Sequence, residues 1–267
     1  MMYFDIIYVV LTYRNYHDLI DFLYSIKKNE KKYTYKVIIV NSFYDTESEY
    51  QIKKIAKENE CDFLSVENKG YSFGNNQGVK FACNHYKFNF LIISNADIEV
   101  CKLNLPNKNE PCIFGPKILT LKNKNQNPME TYKFYWLETL KYIGFKKNNI
   151  FLIYTAVLIN KIILKITLFR TKKLIKVQQL HGAFLIFNLQ SLNLLKDNLF
   201  DENLFLFAEE NVLAKKSKDL KINLFYNAHS VVKHKEDGSI NFLDGSISEI
   251  LKKSYIYYYD NYVRGKK

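Results

Sequence analysis

FLIISNADIE, residues 90–99, is an apolar run that ends on Asn95-Ala96-Asp97. A run this short and this apolar reads as a strand covered on both faces, as in parallel sheets flanked by helices. An acidic residue one or two positions beyond such a strand stands at the open edge of an α/β sheet, where these folds bind ligands. Asp97 is thereby placed to hold a divalent cation against a diphosphate.

Outward from this segment the same alternation recurs. Residues 4–12 make a first strand, and Asn15 caps a helix reaching residue 29, with Asp18 three positions on as in a capping box. Residues 36–40 form a second strand, 46–60 a helix with Ile52, Ile55 and Ala56 inward, and 63–66 a third strand. A helix over 75–86 and a strand over 88–94 follow. The expected fold is α/β, with a parallel sheet and helices on both faces. Beyond Asp97 the pattern loosens into a polar connector at 104–111, a strand at 114–119 and an Asn-rich loop at 122–128. An apolar strand at 183–187 and a helix over 205–218 come next, then a Tyr-rich stretch at 250–262. The expected organisation is a first half, 1–119, a second half, 120–240, with a basic insertion at 141–176, and a tail, 241–267.

A chain of 267 residues with 48% hydrophobic content buries a sizeable core, which excludes general disorder. The net charge of +12 is unevenly placed: residues 141–181 hold nine Lys or Arg and no Asp or Glu. Such a field attracts nucleic acid, anionic lipid or phosphorylated substrates, and composition does not choose among them. The cysteines at 61, 83, 101 and 112 have neither metal-site spacing nor disulfide-scaffold density, so a reduced, cytosolic set is expected. MMYFDIIYVVLTY at the start reads as a strand and not as a secretion leader. Residues 151–169 are the one long apolar segment, but Asn160, Lys161 and Lys165 lie within it. A lysine in the bilayer is costly, so no span is expected, and the basic block packs beside the sheet or against a membrane.

Few residues offer chemistry. KGYSFGNNQG, 69–78, has glycines four apart, suited to an ordinary turn and helix cap or to close approach of a ligand. It is neither a dinucleotide fingerprint nor a P-loop, and Asn75 and Asn76 bring amides rather than charge. Asp97 suits a solvated strand end as well as a metal, and Asn95 adds an amide. Glu209 and Glu210 open a helix, where they either complement its dipole or supply a general base. Adjacent helical residues point in different directions, so one can face a substrate while the other organises the loop. Of the five histidines, His234, within VKHKEDGS (232–239), is the better candidate for a metal or diphosphate contact.

Taken in order, these segments resemble the family 2 glycosyltransferases, specifically the rhamnosyltransferase-like branch of bacterial surface polysaccharide synthesis. The resemblance is carried by Thr12, Tyr13 and Asn15, by ENKGYSFGNNQGVKFA (67–82), by NADIEV (95–100) with GPKIL (115–119), and by HGAFLIF (181–187) with FDENLFLFAEENVLAKK (200–216). It implies a glycosyltransferase-A fold, Rossmann-like and mainly parallel, and an inverting transfer from a nucleoside-diphosphate sugar to a hydroxyl of a lipid-linked or oligosaccharide acceptor. It implies Mg²⁺ or Mn²⁺ on Asp97, with His234 as a further metal or diphosphate contact, Glu210 as general base and Glu209 as its orienting neighbour. Thr12, Tyr13, Asn15, Asn41, Asn68, Gly70, Gly74, Asn75, Asn76 and Asn95 would line the nucleotide-sugar half, 1–119, with the acceptor half following. The family's usual acidic residue after the second strand is replaced by Asn41-Ser42-Phe43-Tyr44-Asp45, where Asp45 is the alternative contact. Asn95 leaves one carboxylate on the metal segment, and Glu210 stands where aspartate is commoner. The expected location is cytoplasmic and peripheral at the inner face of the bacterial membrane, with 141–176 on anionic lipid and no specific nucleic acid bound.

Two other classes fit less well. A nucleotidyltransferase needs a glycine-rich loop after the first strand, and 12–17 has no glycine. A basic nucleic-acid binder explains the charge but not Asp97, Glu209 and Glu210; a binding-only member of the fold is the remaining alternative.

Overall fold

The computed structural model describes residues 1–168, 173–195, 199–236 and 247–264. Its elements run β1 (Met2–Thr12), α1 (Tyr16–Asn29), β2 (Tyr35–Ser42), α2 (Thr46–Glu58), β3 (Asp62–Val66), α3 (Tyr71–His85), β4 (Tyr86–Asn95), β5 (Ile98–Lys102) and β6 (Cys112–Thr120). They continue with α4 (Tyr135–Lys146), α5 (Ile150–Leu168), β7 (Leu174–Val177), β8 (Phe184–Asn188), α6 (Leu189–Leu195), α7 (Glu209–Asp219), β9 (Asn223–His234) and α8 (Ile247–Tyr258), which ends in a π-helical turn (Tyr259–Arg264).

Successive residues of β1 point to opposite faces of one sheet, and both faces are covered. Ile6, Tyr8 and Val10 join a core with Leu19, Phe22 and Ile26 of α1 and Ile52 and Ile55 of α2. Ile7 and Val9 join a second core with Val79 and Ala82 of α3, Leu192 of α6 and Leu213 of α7. This is why the strand reads as a continuous apolar run rather than an alternating one.

The strand order is β3-β2-β1-β4-β8-β6-β9-β5, with β7 also on β9. Neighbours from β3 to β4 are parallel. β8 is antiparallel to both β4 and β6, and β6 is parallel to β9. The first connections leave β1 in one direction for β2 and in the other for β4, which opens a crevice at their carboxyl ends.

Two helix starts differ from the sequence reading by four residues, and several strand ends by one or two. α3 begins at Tyr71, four residues before the expected start, because Gly70 takes φ +96° and turns the Tyr71 N–H onto the Phe205 carbonyl at 2.8 Å. α7 begins at Glu209 rather than residue 205, because Phe207 and Ala208 both take left-handed φ, at 71° and 67°. Two consecutive left-handed residues that are not glycine store strain of about 1–3 kcal/mol each, which their surroundings must hold. The basic block 141–176 is no single element: it runs from within α4 through α5 into β7.

A third core joins Tyr142 of α4, Val212 of α7 and Tyr255 and Tyr258 of α8. Beside it lies a buried charge network. Lys133 Nζ is 3.1 Å from Glu130 Oε2 and 3.1 Å from Glu138 Oε1, Lys141 pairs with the same two carboxylates, and Tyr255 Oη donates to Glu138 Oε2 at 2.7 Å. Burial alone would pull Lys133 down, but Glu138 and Glu130 raise its pKa above the ordinary value. The Tyr-rich segment is thus an integral layer over α4.

Candidate active site

At the carboxyl ends of the parallel strands lies a cavity of about 560 Å³. Strand ends supply one wall through Tyr13, Ser42, Asn68 and Asn95–Asp97, while Phe205–Glu210 and the α8 residues Leu251 and Tyr255 supply another. Asn15 reaches it from the α1 cap, where its side chain accepts the Asp18 N–H at 3.2 Å. Asp18 in turn holds Lys235 Nζ at 2.7 Å, joining the start of α1 to the residue after β9. Tyr13 stands edge-on to Tyr44, with ring centroids 5.6 Å apart.

Asp97 and His234 meet at the cavity, with Oδ2 3.3 Å from Nε2. β5 and β9 pair antiparallel with Ile98 opposite His234, so the sheet register brings together residues 137 positions apart in sequence (234 − 97). The tautomer of His234 follows from its neighbours. Gln126 gives its amide N–H to Glu236 Oε1 at 2.8 Å, so its carbonyl oxygen is the atom facing His234 Nδ1 at 2.9 Å. An acceptor there puts a proton on Nδ1. In the neutral ring Nε2 then carries a lone pair directed at a carboxylate, and two acceptors in contact require a proton or a cation.

The two carboxyls of α7 separate in role. Glu210 Oε1 accepts the Gly182 N–H at 3.1 Å while the residue stays partly open to the cavity. Glu209 is buried, and its Oε1 has no hydrogen-bond partner among the described residues. Burial, then the charge of Glu210, pushes its pKa well above the ordinary carboxyl value, which favours the protonated form. Tyr71 Oη donates to the Gly182 carbonyl at 2.9 Å, and burial followed by the two glutamates pushes its pKa well up. Desolvation lowers the pKa of His181, whose Nδ1 accepts the Ala183 N–H at 3.1 Å. A neutral His181 with Nε2–H results, its ring 5.8 Å from that of His234.

Of the residues singled out from sequence, Tyr13, Asn15, Asn68, Gly70, Asn95, Asp97, Glu209, Glu210 and His234 border this cavity. Thr12, Asn41, Gly74, Asn75 and Asn76 do not, and the side-chain oxygens of Asn41 and Asn75 are buried without a hydrogen-bond partner among the described residues. Thr12 Oγ1 donates to the Asn15 carbonyl at 3.3 Å, and Asn41 turns toward Ser65 of β3. Gly74 and Gly78 let α3 approach β1 and β2, since a Cβ on either would collide with Leu11 or with Val9 and Val40. The four-residue glycine spacing therefore marks a helix face against a sheet. Asn75 bonds the Tyr71 carbonyl, while Asn76 pins the turn before α7 through Phe200 N and O. Asp45 caps α2 by accepting the Ser48 N–H at 2.7 Å, so it is committed there. Sequence reading did not single out Gln126, His181, Lys235 or Tyr255. Only the HGAFLIF stretch hinted at His181; the others gain their positions from contacts far along the chain.

Among the described residues, no group of three His, Cys, Asp or Glu side chains is arranged to hold a metal ion. Asp97 and His234 supply two donors of the kinds Mn²⁺ accepts, and Mg²⁺ would use the carboxylate more readily than the imidazole. Diphosphate oxygens and water would have to complete either shell.

No protein-family model and no curated protein sequence matches this chain. Solved structures do. GalNAc-T7, solved with UDP, GalNAc and Mn²⁺, matches over 97% of this chain and 49% of its own, at 14% identity and TM-score 0.60. S. aureus TarS 1–349, solved with UDP, matches over 98% of this chain and 73% of its own, at 13% identity and TM-score 0.53. A longer TarS structure matches over 98% of this chain and 44% of its own, at 12% identity and TM-score 0.51. The fold is glycosyltransferase-A. The chain spans about half the length of GalNAc-T7 and less than half of the longer TarS. At these identities the likeness reaches the fold and no further.

Proposed function

We propose that this chain transfers a sugar from a nucleoside-diphosphate donor to an acceptor hydroxyl, with inversion at the anomeric carbon. The observation that carries the reading is the segment 181–183, which joins two chemistries in one cavity. His181 faces the Asp97–His234 pair, and the next residue, Gly182, holds Glu210.

Glu210 takes the proton of the acceptor hydroxyl, whose oxygen then attacks the anomeric carbon from the side opposite the diphosphate. The carbon–oxygen bond to the diphosphate breaks, and the nucleoside diphosphate leaves with the bonding pair. A Mg²⁺ or Mn²⁺ held by Asp97 and His234 would neutralise the charge developing on that leaving group. Glu209, buried and with its charge disfavoured, is the less suited of the two to act as base. Tyr13 offers an aromatic face for the base, and Asn15, Asn68 and Asn95 offer amides for ribose or phosphate. Phe205, Leu206, Phe207 and Leu251 make the other wall apolar, which suits an acceptor with a hydrophobic portion. The resemblance of the ordered motifs to the rhamnosyltransferase-like branch supports a surface-polysaccharide acceptor and a place at the inner face of the membrane.

Calorimetric titration with UDP, dTDP and GDP, each with and without Mn²⁺, tests the reading on wild type and Asp97→Ala. Micromolar binding of one nucleotide that needs both Mn²⁺ and Asp97 supports it. No binding to any of the three, or binding indifferent to Asp97, rejects the metal-assisted donor site.

A further inference from the structure

α5 is apolar on nearly every side, yet Ala156 is its only buried residue. Its mean hydropathy is 1.8 over an 18-residue window, and by length and composition it is long and apolar enough to cross a membrane. A helix of that composition is ordinarily covered all round. The inner face is covered: Ile153 lies against Gly144 of α4, Asn160 Nδ2 donates to the Met129 carbonyl at 2.9 Å, and Thr167 meets Thr131 at 2.9 Å. The outer face is not. Phe151, Tyr154, Leu158, Ile162 and Ile166 are 50–73% exposed, and their spacing puts them on one side of the helix. Lys161 and Lys165 are exposed on that same side, and among the described residues neither pairs with a carboxylate. Lys146 and Lys147 are exposed at the turn between α4 and α5.

We propose that this face of α5 docks, in the plane of the membrane, on the surface of an anionic phospholipid bilayer. Charge selects that occupant. Lys146, Lys147, Lys161 and Lys165 complement anionic headgroups, whereas a second copy of the same face would set Lys161 and Lys165 against their equals. Lysine stems lie along apolar surface while their ammonium groups reach the headgroups. A span is not the arrangement, because the inner face is bonded to the body along its length and β7 pairs with β9 soon after the helix ends. Met129, which holds Asn160, also borders the cavity, as does Tyr255, which holds Glu138 of α4. On the transferase reading, an acceptor carried by a lipid would arrive beside the cavity wall; the docking itself does not depend on that reading.

The test is co-sedimentation of the full chain with phosphatidylcholine–phosphatidylglycerol vesicles and with phosphatidylcholine vesicles. Expected is binding to the anionic vesicles alone, relieved by salt, and weakened about 30-fold in Lys161→Gln/Lys165→Gln. Leu158→Asp/Ile162→Asp should abolish it. Equal binding to both vesicles overturns the proposal, as does self-association without vesicles that Leu158→Asp/Ile162→Asp removes. UDP, dTDP and GDP titration of the same preparations reports folding and the donor site separately, so failure of one reading is not mistaken for failure of the other.

Discussion

The Gly182 N–H is held by Glu210 Oε1 at 3.1 Å, and a Cβ built on Gly182 would stand 2.9 Å from that same oxygen. The backbone amide thus fixes one oxygen of the proposed base, and the missing side chain leaves room for it. Glu210→Gln should lower turnover by about 10²–10⁴-fold with nucleotide affinity unchanged, since only proton removal is lost. Gly182→Ala displaces the end of a flexible side chain rather than backbone, so the melting temperature should hold while kcat falls by about 10²-fold. A variant that melts early, or one with full kcat, would remove Glu210 from the base role.

Glu209 gives the pH dependence of stability. Its folded pKa lies above the unfolded value near 4.5, because burial and Glu210 disfavour the charge. Its contribution is therefore fully present below that unfolded pKa and is lost as pH rises toward the folded one. Glu209→Gln should leave stability unchanged near pH 4 and raise it at pH 7–8, by up to about 1.4 kcal/mol per unit of pH between the two pKa values. Urea melts across this range check it, and a variant that loses stability at pH 8 contradicts the raised pKa.

Gln126 acts on the proposed metal pair through His234. With the amide carbonyl on Nδ1, the lone pair stays on Nε2 toward Asp97. Gln126→Leu frees the ring and should weaken Mn²⁺ binding by about 10–100-fold, whereas Gln126→Glu keeps an acceptor and should retain most of it. Mn²⁺ titration followed by electron paramagnetic resonance reads both; equal loss in the two variants would make Gln126 a packing residue only.

Glu138 ties α8 to α4. It is 1% exposed and shared between Lys133, Lys141 and Tyr255. Glu138→Ala removes one partner and leaves two buried ammonium groups on Glu130, at a cost of about 3–5 kcal/mol. Limited proteolysis should then cut first within residues 247–264, ahead of the sheet.

Local chemistry made the first four strands legible. Residues 90–94 and 6–10 are apolar because both faces of the sheet are covered, and that demand is written at each position independently of the rest of the chain. The same holds for Asp97 just past a strand and for Asn15 at a helix start, where side chain and backbone partner lie within three residues. What the sequence left open involves partners far apart. GYSFGNNQG permits a ligand loop or a helix lying close on a sheet, and the approach of Leu11, Val9 and Val40 commits Gly74 and Gly78 to the latter while Gly70 borders the cavity. Gln126 is an unremarkable polar loop residue until the β5–β9 register and the loop after β6 bring His234 to it across 108 positions. The segment of α5 reads as packing beside the sheet or against a membrane, and only the fold, with the sheet already covered on both faces, leaves its outer side exposed. Periodicity is a property of neighbours along the chain and made the elements up to residue 95 legible; which side of each element meets another is decided by packing, and that exists only in three dimensions.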